Sequence, residues 1–202
     1  MTEREVETFR RCMAVGGVAL FPTDTVYGLA TDPGSKEGVR RIYELKGRPP
    51  DRPAAVMFFE LELALAALPE LGPRTRAALE RLLPGGLTLL LPNPARRYPL
   101  ACGPDPERLG LRVPDLERSL APLAGARWPV LQSSANRSGG PDARRYEEVD
   151  LQIRSGVDQA LDGGELAGTP STVVDLTAYE DEDRFSVLRE GAVERAKVDA
   201  LL

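Results

Sequence analysis

The stretch Phe21-Pro-Thr-Asp-Thr-Val-Tyr-Gly-Leu29 comes directly after an apolar run that begins at Val18. Val18 to Phe21 has the length and composition of a buried strand, and Pro22 ends the strand because proline has no backbone N–H to donate. The next three residues, Thr23 to Thr25, place three short side chains with oxygen atoms in a row. Such side chains either bond the nearby backbone in a turn or bind a ligand, and the residues alone leave both readings open.

Helices and further strands are predicted on both sides of this stretch. Thr2 can cap a helix over residues 2–15, because Glu5 completes a capping box. Ser35 can cap a second helix over residues 36–46, and Gly47 is expected to end it. The remaining predictions are helices at 73–83, 116–123 and 192–202, strands at 54–59, 87–91, 109–113, 130–133, 157–161, 172–176 and 185–188, and an exposed hairpin turn at 180–183. Strands and helices are mixed without a regular alternation, which indicates an α/β domain built on a mixed sheet.

The composition is that of one folded domain, and we expect residues 1–202 to form a single domain. Apolar residues make up 42% of the chain and charged residues 28%, which provides enough apolar side chains for a sizeable core. The net charge of −5 argues against non-specific coating of nucleic acid or membrane, although it leaves room for a local basic cleft. No long apolar run is present and the start is charged, so the sequence predicts a cytoplasmic protein with no membrane partner.

The absence of histidine excludes several classes of active site. A Ser-His-Asp triad, a Cys-His pair, a zinc ion held by histidine and an H-E-x-x-H protease site all require it. Cys12 and Cys102 are too few for a four-cysteine zinc site and could form at most one disulfide. Two reduced thiols in a cytosolic protein are the expectation for this pair.

A second polar stretch, Lys46-Gly-Arg-Pro-Pro-Asp-Arg52, carries three cations within one short loop. Lys46 falls at the end of a predicted helix, where the helix dipole favours a cation. Arg48 and Arg52 have no such explanation, and a rigid loop that presents guanidinium groups suits bidentate binding of phosphate or carboxylate. A solvated basic loop is the alternative, and the residues alone do not decide between the two.

Two more polar stretches follow later strands. In Leu131-Gln-Ser-Ser-Ala-Asn-Arg-Ser-Gly-Gly140, hydroxyl and amide groups can bond a ligand or the backbone, and no base is present to make a serine a nucleophile. The other stretch is Gly168-Thr-Pro-Ser-Thr-Val-Val-Asp-Leu176, which Leu188-Arg-Glu-Gly191 can join in space. Arg112 belongs with them, because a charged residue within an apolar strand must point to solvent, a partner or a ligand. Thr88, by contrast, is expected to be a core hydroxyl bonded to backbone.

Cationic and hydroxyl-rich loops at strand ends can line one crevice, which is where open α/β sheets bind ligands. The residues therefore predict a site for an anionic small molecule, without naming it. The common phosphate-binding motifs are missing, because no G-x-G-x-x-G follows a predicted strand and Thr169 stands where a P-loop beginning at Gly163 needs its lysine.

The polar stretches together resemble the YrdC-like family of threonylcarbamoyl-AMP synthases. The matching motifs, in chain order, are Pro22-Thr-Asp-Thr-Val-Tyr-Gly-Leu29, Lys46-Gly-Arg48, Leu83-Pro-Gly-Gly-Leu-Thr88, Ser134-Ala-Asn-Arg-Ser-Gly139, Ser171-Thr-Val-Val-Asp175 and Leu188-Arg-Glu-Gly191. Their order and spacing agree over residues 14–193. The resemblance is to the short, single-domain members, and it implies a twisted mixed sheet, flanked by helices, with a concave and positively lined groove.

The resemblance also implies a reaction, in which L-threonine, bicarbonate and ATP give threonylcarbamoyl-adenylate and pyrophosphate, with Mg²⁺ accompanying ATP. The adenylate would then serve a separate complex that modifies adenosine 37 of tRNA, and a direct contact with tRNA or other double-stranded RNA is a further expectation. On the matching positions, Lys46 and Arg48 would lie at the phosphates as the catalytic pair. The L-threonine ligands would be Thr25, Arg112, Ser134 and Ser171, and the ATP ligands would be Arg48, Arg52, Asn136, Arg144 and Arg189.

Three positions depart from the family's motifs. Met57 stands where many members carry a histidine near threonine, so that contact is lost or replaced. Arg52 stands where members often have Asn or Ser, and Thr169-Pro170 replaces the glutamate that is usual just before Ser171. These departures could alter the affinity for the substrate or the substrate itself.

Three other functions stay open at the level of sequence. The first is a related carbamoyl-adenylating activity, as in the YrdC-like domain of hydrogenase-maturation carbamoyltransferases, although their acylphosphatase-like segment and zinc-finger cysteines are not seen in this sequence. The second is an RNA-binding module that uses the same groove, against which stand an aromatic content of 5% and a pI near 5.0. The third is an inactive homologue that acts as a partner, a reading motivated by Met57 and Arg52.

Overall fold

The fold is built on one mixed β-sheet, whose strands come from most of the length of the chain. The computed structural model describes the backbone of residues 1–202 and every side chain except those of Arg118 and Ser119. The strands of this described chain are β1 (Ala19–Phe21), β2 (Gly28–Thr31), β3 (Ala55–Met57), β4 (Leu87–Pro92), β5 (Arg108–Arg112), β6 (Val130–Ser134), β7 (Gln159–Ala160), β8 (Thr172–Asp175) and β9 (Ser186–Arg189). They form one sheet in the order β7-β1-β2-β6-β3-β5-β4-β8-β9, and parallel and antiparallel pairs both occur. The predicted mixed α/β sheet is confirmed.

Helices flank this sheet. They are α1 (Glu3–Ala14), α2 (Lys36–Lys46), α3 (Leu61–Ala67), α4 (Pro73–Leu82), α5 (Pro99–Cys102), α6 (Leu151–Gly156), α7 (Tyr179–Glu182) and α8 (Arg195–Leu201), with 3₁₀ helices at Arg118–Ala126 and Tyr146–Glu148. None of the helices in the described chain combines the length and the apolar character that crossing a lipid bilayer requires.

The predicted ends of the first two helices are confirmed by their caps. Thr2 Oγ1 accepts from Glu5 N at 3.3 Å while Glu5 Oε2 accepts from Thr2 N at 2.7 Å, which is the reciprocal capping box that the sequence predicts. Ser35 Oγ accepts from Gly38 N at 3.0 Å at the start of α2. Gly47 ends α2 at φ +57°, a left-handed conformation that favours glycine.

The stretch at residues 21–29 is a hairpin rather than a loop that leaves a single strand. β2 pairs antiparallel with β1, and Gly28 lies opposite Phe21. All four residues of β2 are buried, so they show no alternation of apolar and polar side chains, and their glycine further weakens the strand pattern. Residues 22–27 therefore connect two neighbouring strands, which holds Asp24 and Thr25 next to the sheet.

The acidic segment at 180–183 connects the antiparallel neighbours β8 and β9, so the predicted hairpin is confirmed, and residues 181–183 are exposed. The connection contains the short helix α7, however, and is not a simple turn. α7 begins at Tyr179, whose side chain is buried. Glu180 Oε2 accepts from Thr75 N at 2.8 Å and so satisfies a backbone donor at the start of α4. The acidic composition indicated solvent exposure, whereas one of these carboxylates caps another helix.

Short helices account for several other differences from the sequence prediction, while the strands expected at 157–161 and 54–59 are shorter than predicted. α3, α5 and α6 were not predicted, and each has seven residues or fewer. Helices of that length depend on packing against the rest of the molecule more than on residue propensity. The helix expected at 116–123 is a 3₁₀ helix that contains Pro122, which has no N–H for an α-helical ladder.

The two faces of β4 and β5 differ in their surroundings. Buried and half-buried residues alternate along β4, so Leu89 joins the larger apolar core while Thr88 and Leu90 lie on the other face. In β5, Leu111 joins the same core and Arg112 lies on the other face. The face that carries Thr88, Leu90 and Arg112 opens into a cleft.

Candidate active site

A cleft of about 430 Å³ opens on this face of the sheet. Its floor comes from β3, β4, β5, β6 and β8. The site residues expected from sequence that line it are Arg48, Arg112, Ser134, Ser171 and Arg189. Polar stretches that are far apart in the chain therefore meet in one place. Four arginines and two aspartates line the cleft, which gives it an excess of positive charge although the chain is acidic overall.

Arg112 is the most deeply buried of these cations. Its Nη2 donates to Asp24 Oδ1 at 2.9 Å and to Thr25 Oγ1 at 3.0 Å, and its Nη1 lies 3.4 Å from Gln132 Oε1. The residue is 4% exposed. Asp24 is fixed in turn, because its Oδ2 accepts from Asp115 N at 3.1 Å. Arg112 therefore contacts a carboxylate of its own chain and also faces the cleft.

The pair of Arg112 and Asp24 is electrostatically coupled. Burial raises the pKa of the Asp24 carboxyl, and the Arg112 guanidinium opposes that rise. Burial lowers the pKa of Arg112, and Asp24 opposes that fall. Each charge offsets the desolvation of the other, so the loss of one partner would leave an uncompensated buried charge.

The turn interpretation of the Thr-Asp-Thr row is confirmed for Thr23, and ligand binding by Thr25 stays a prediction. Thr23 Oγ1 donates to Val26 O at 2.7 Å and accepts from Val26 N at 3.3 Å, so Thr23 builds the turn. Thr25 and Asp24 instead hold Arg112 at the cleft floor. The hairpin between β1 and β2 therefore combines a structural turn with part of the site.

Lys46 is almost fully buried beneath the loop that follows β6, with 2% of the residue exposed. Its Nζ donates to Asn136 O at 2.9 Å, to Asn136 Oδ1 at 3.0 Å and to Ser134 O. Lys46, Ser134 and Asn136 thus form one cluster, in which the ammonium group holds the loop. Burial lowers the pKa of Lys46 to about 8, and Arg48 acts in the same direction while Asp142 opposes it.

Arg48 lies along the loop after α2 and faces the cleft. Its Nη2 donates to Pro53 O at 2.6 Å, and its guanidinium carbon is 5.9 Å from the centre of the Tyr43 ring. Its Nε, like that of Arg112, is buried without a hydrogen-bond partner among the described atoms. Buried guanidinium donors that lack a protein partner suit the binding of an anion.

Three residues form the opposite wall. Thr88 Oγ1 and Ser171 Oγ are 2.8 Å apart, and Arg189 Nη2 donates to Ser171 O at 2.7 Å. Thr88 is half-buried on the cleft face and bonds a side chain, so the expectation of a core hydroxyl bonded to backbone is wrong. The alternation of β4 decides this, because Thr88 lies between two leucines that face the core.

The glycine of the last motif has a packing role at this wall. A Cβ on Gly191 would lie 2.1 Å from Pro170 O, a distance that no side chain tolerates. Gly191 N also donates to Thr172 Oγ1 at 2.8 Å. Gly191 therefore lets the chain after β9 approach Ser171 closely.

Two of the expected ATP ligands are not among the residues that line the cleft. Arg52 is exposed in the loop before β3. Arg144 is exposed, and its Nη2 lies 3.0 Å from Glu165 Oε1. Their roles stay predictions. Asn136 also does not line the cleft directly, but it is tied to Ser134, which does.

The departures from the family's motifs lie in different surroundings. Met57 is fully buried in the second apolar core, which α1 helps to form. Thr169 is exposed, and Pro170 lines the cleft. Cys12 and Cys102 are both free, and Cys102 lines the cleft.

Sequence reasoning did not assign Gln132, Asp142, Asp105 or Arg108, which also line the cleft. Gln132 carries a signal similar to that of Arg112, because it is a polar residue that directly follows the apolar Val130 and Leu131 within a predicted strand. Asp105, Arg108 and Asp142 carry no such signal, since charged residues at loops and strand ends are usually solvated. Among the described side chains, no three acidic or cysteine residues are grouped so that they could hold a metal ion.

The mixed sheet and its arginine-lined cleft define an α/β protein with a cationic groove on one face of the sheet. The chain belongs to the Sua5/YciO/YrdC family, whose model, described as "Telomere recombination", matches residues 11–191. The resemblance read from the six motifs is thereby confirmed.

Relatives and a solved structure agree with this placement. The threonylcarbamoyl-AMP synthase of Bacillus subtilis (strain 168) is 31% identical over 198 residues, which cover 92% of this chain and 53% of the relative. That of Stenotrophomonas maltophilia (strain K279a) is 32% identical over 170 residues, which cover 81% of this chain and 88% of the relative. The crystal structure of Pyrococcus abyssi Sua5 complexed with L-threonine superposes with a TM-score of 0.86 at 28% identity, over 100% of this chain and 58% of that one. The chain thus spans about half the length of the Bacillus relative.

Proposed function

We propose that this chain is a threonylcarbamoyl-AMP synthase, a nucleotidyltransferase that converts L-threonine, bicarbonate and ATP into threonylcarbamoyl-adenylate and pyrophosphate. The observation that carries the proposal is the placement of Arg112. A guanidinium held by Asp24 and Thr25 at the floor of a hydroxyl-lined cleft is suited to a small carboxylate. The names of the relatives and the L-threonine in the Sua5 structure point to the same substrate.

The chemistry asks for positioning and charge more than for acid–base catalysis. Bicarbonate takes up a proton and gives CO2 and water. The threonine ammonium loses one proton to solvent, its nitrogen bonds the carbon of CO2, and loss of a second proton from that nitrogen leaves a carbamate. A carbamate oxygen then bonds the α-phosphorus of ATP, while the bond from that phosphorus to the bridging oxygen breaks and pyrophosphate leaves. Fixed cations stabilise the charge that develops on the departing phosphates. A chain without histidine can carry out each of these steps.

The residues divide between the two substrates in our proposal. Arg112 and Thr25 bind the carboxylate of L-threonine, with the hydroxyls of Ser134 and Ser171 beside them. Arg48 and Arg189 reach the ATP phosphates from the two walls of the cleft. Lys46 holds Ser134 and Asn136 from below and adds its positive charge behind the same phosphates.

The finer parts of the proposal rest on the family resemblance. Arg52 and Arg144 would meet ATP from the rim of the cleft, and Mg²⁺ would enter as part of the substrate, bound to the ATP phosphates. The adenylate would pass to a tRNA-modifying complex in the cytoplasm, where direct contact with RNA is a further prediction. Residues 1–202 would act as a single catalytic domain.

Pyrophosphate release tests this function. Purified protein with ATP and Mg²⁺ is expected to release pyrophosphate only when both L-threonine and bicarbonate are present. Arg48→Ala is expected to abolish release, because it removes a cation from the cleft wall. Arg40→Ala is the matched control, since Arg40 is an exposed arginine of α2 that pairs with Glu37.

The outcomes separate the competing functions. Release with carbamoyl phosphate in place of L-threonine and bicarbonate would favour a carbamoyl-adenylating enzyme. An absence of release from folded protein would contradict the proposal and leave an RNA-binding module or an inactive homologue. RNA binding with a steep salt dependence would then identify the binding module.

A further inference from the structure

Gln132 lines the cleft floor at the end nearest β2, and it lies outside every motif that carries the family resemblance. It belongs to β6, where it pairs with Ala30 of β2 on one side and Ala55 of β3 on the other. The residue is only 4% exposed, yet its side chain lines the cleft. A buried amide at such a position calls for partners for its oxygen and its nitrogen.

The partner of the amide oxygen is Arg112. Gln132 Oε1 lies 3.4 Å from Arg112 Nη1. A guanidinium group has only donors, so the amide must present its oxygen on this side and its NH2 group on the other. None of the hydrogen bonds among the described side chains uses Gln132 Nε2 as a donor. The NH2 group therefore stays available at the cleft floor.

The side chain of Gln132 fits beside β2 because residue 28 is a glycine. A Cβ on Gly28 would lie 2.8 Å from Gln132 Nε2, closer than real Cβ atoms come to other heavy atoms. The Gln132 amide of β6 therefore occupies space that a side chain at position 28 of the neighbouring strand β2 would fill. The missing side chain of Gly28 leaves space for the amide nitrogen, while the Arg112 guanidinium contacts the amide oxygen.

We propose that Gln132 is a substrate-binding residue of the amino-acid site. Its Oε1 steadies Arg112, and its Nε2 donates to the carboxylate that Arg112 binds. This inference rests on the proposed function, because it assumes an amino-acid substrate. A neutral amide supplies a donor without neutralising Arg112, whereas a carboxylate at this position would pair with the guanidinium and repel the substrate.

Two substitutions at this position test the role. Gln132→Met keeps the length of the side chain and removes both polar atoms, so the KM for L-threonine is expected to rise about tenfold or more. The KM for ATP and kcat are expected to stay within about twofold, because the contact is made with the amino acid in ground and transition state alike. Gln132→Glu is expected to raise the KM for L-threonine further, since it places a competing carboxylate beside Arg112.

A matched control comes from Gln152, another glutamine that contacts an arginine. Gln152 Oε1 accepts from Arg137 Nη1 at 3.1 Å on the exposed surface, outside the cleft. Gln152→Met is expected to leave both KM values unchanged. An unchanged KM for L-threonine in Gln132→Met, or an equal rise in the KM for ATP, would overturn the inference.

Gly28→Ala provides a second route to the same amide. It is expected to displace Gln132 and to raise the KM for L-threonine, with no further rise when Gln132→Met is added, because both changes act on one contact. Additive effects of the two changes would contradict the inference. If the wild-type chain itself released no pyrophosphate, the proposed function would fail, whereas an active wild type with unaffected variants would overturn only the role of Gln132.

Discussion

Two arginines of this chain make the same contact in different surroundings. Arg112 lies 2.9 Å from Asp24, with side chains 4% and 8% exposed, and Arg144 lies 3.0 Å from Glu165, with both side chains 49% exposed. The distances are nearly equal, so burial is what separates the two ion pairs. Water and salt screen the outer pair, whereas each member of the inner pair depends on the other.

This difference bears on function because the family resemblance implies that both arginines bind substrate. Arg112 is already oriented at the cleft floor by Asp24 and Thr25. Arg144 is held by an exposed carboxylate, which a phosphate group would have to replace. We therefore expect substitutions at the buried pair to affect both stability and activity, and substitutions at the exposed pair to affect stability little.

The largest effect is expected from Arg112→Met. Loss of the cation leaves Asp24 buried and unpaired, so the free energy of unfolding should fall by about 3–5 kcal/mol in urea titrations. Pyrophosphate release should be lost as well. The double variant Asp24→Asn/Arg112→Met should regain much of the stability and stay inactive, because it removes both charges and keeps an acceptor for Asp115 N. A single-variant loss below about 1 kcal/mol would show that the pair is not buried in solution.

A smaller effect is expected from Lys46, a buried cation that donates to an amide oxygen and two backbone carbonyls. Its pKa falls from an ordinary value of 10.5 to about 8 in the folded chain, so the unfolded chain binds more protons between these pH values. The stability of the wild type relative to Lys46→Met should therefore rise with pH across this range, by a total on the order of 3 kcal/mol. Chemical unfolding of both proteins at a series of pH values measures the difference. A constant difference would mean that the charged form of Lys46 is not penalised by burial.

The smallest effect is expected from Arg144→Met. The pair with Glu165 is half exposed, so the free energy of unfolding should change by less than about 1 kcal/mol, and the change should shrink as salt is added. Thermal unfolding at low and high ionic strength provides the measurement. A loss of unfolding free energy as large as that of Arg112→Met would show that burial does not separate the two ion pairs.

The sequence predicts the parts of the molecule whose residues act locally. The caps at Thr2 and Ser35 and the end of α2 at Gly47 follow from neighbouring residues, so they are predicted correctly. The strand β2 is missed because its residues are buried on both faces and carry no alternation. Residues of α7 are misread because Glu180 finds its partner on α4, far away in the chain.

The same distinction applies to the candidate site. Arg112 and Thr25 could be singled out from their own surroundings in the sequence, whereas Gln132 gains its meaning only beside Arg112 and Gly28. For Lys46, the sequence predicts only part of the residue's contacts. Its place in the Lys-Gly-Arg motif suggested the phosphates, and the structure adds that its ammonium group holds Asn136 and Ser134 O.

The most direct test of the account is identification of the product by mass spectrometry. Purified protein is incubated with ATP, Mg²⁺, L-threonine and bicarbonate labelled with ¹³C. We predict threonylcarbamoyl-adenylate that carries the label in its carbamoyl carbon, and loss of this product in Arg112→Met. Formation of AMP or ADP without any labelled adenylate, from protein shown to be folded, would contradict the assignment of the cleft.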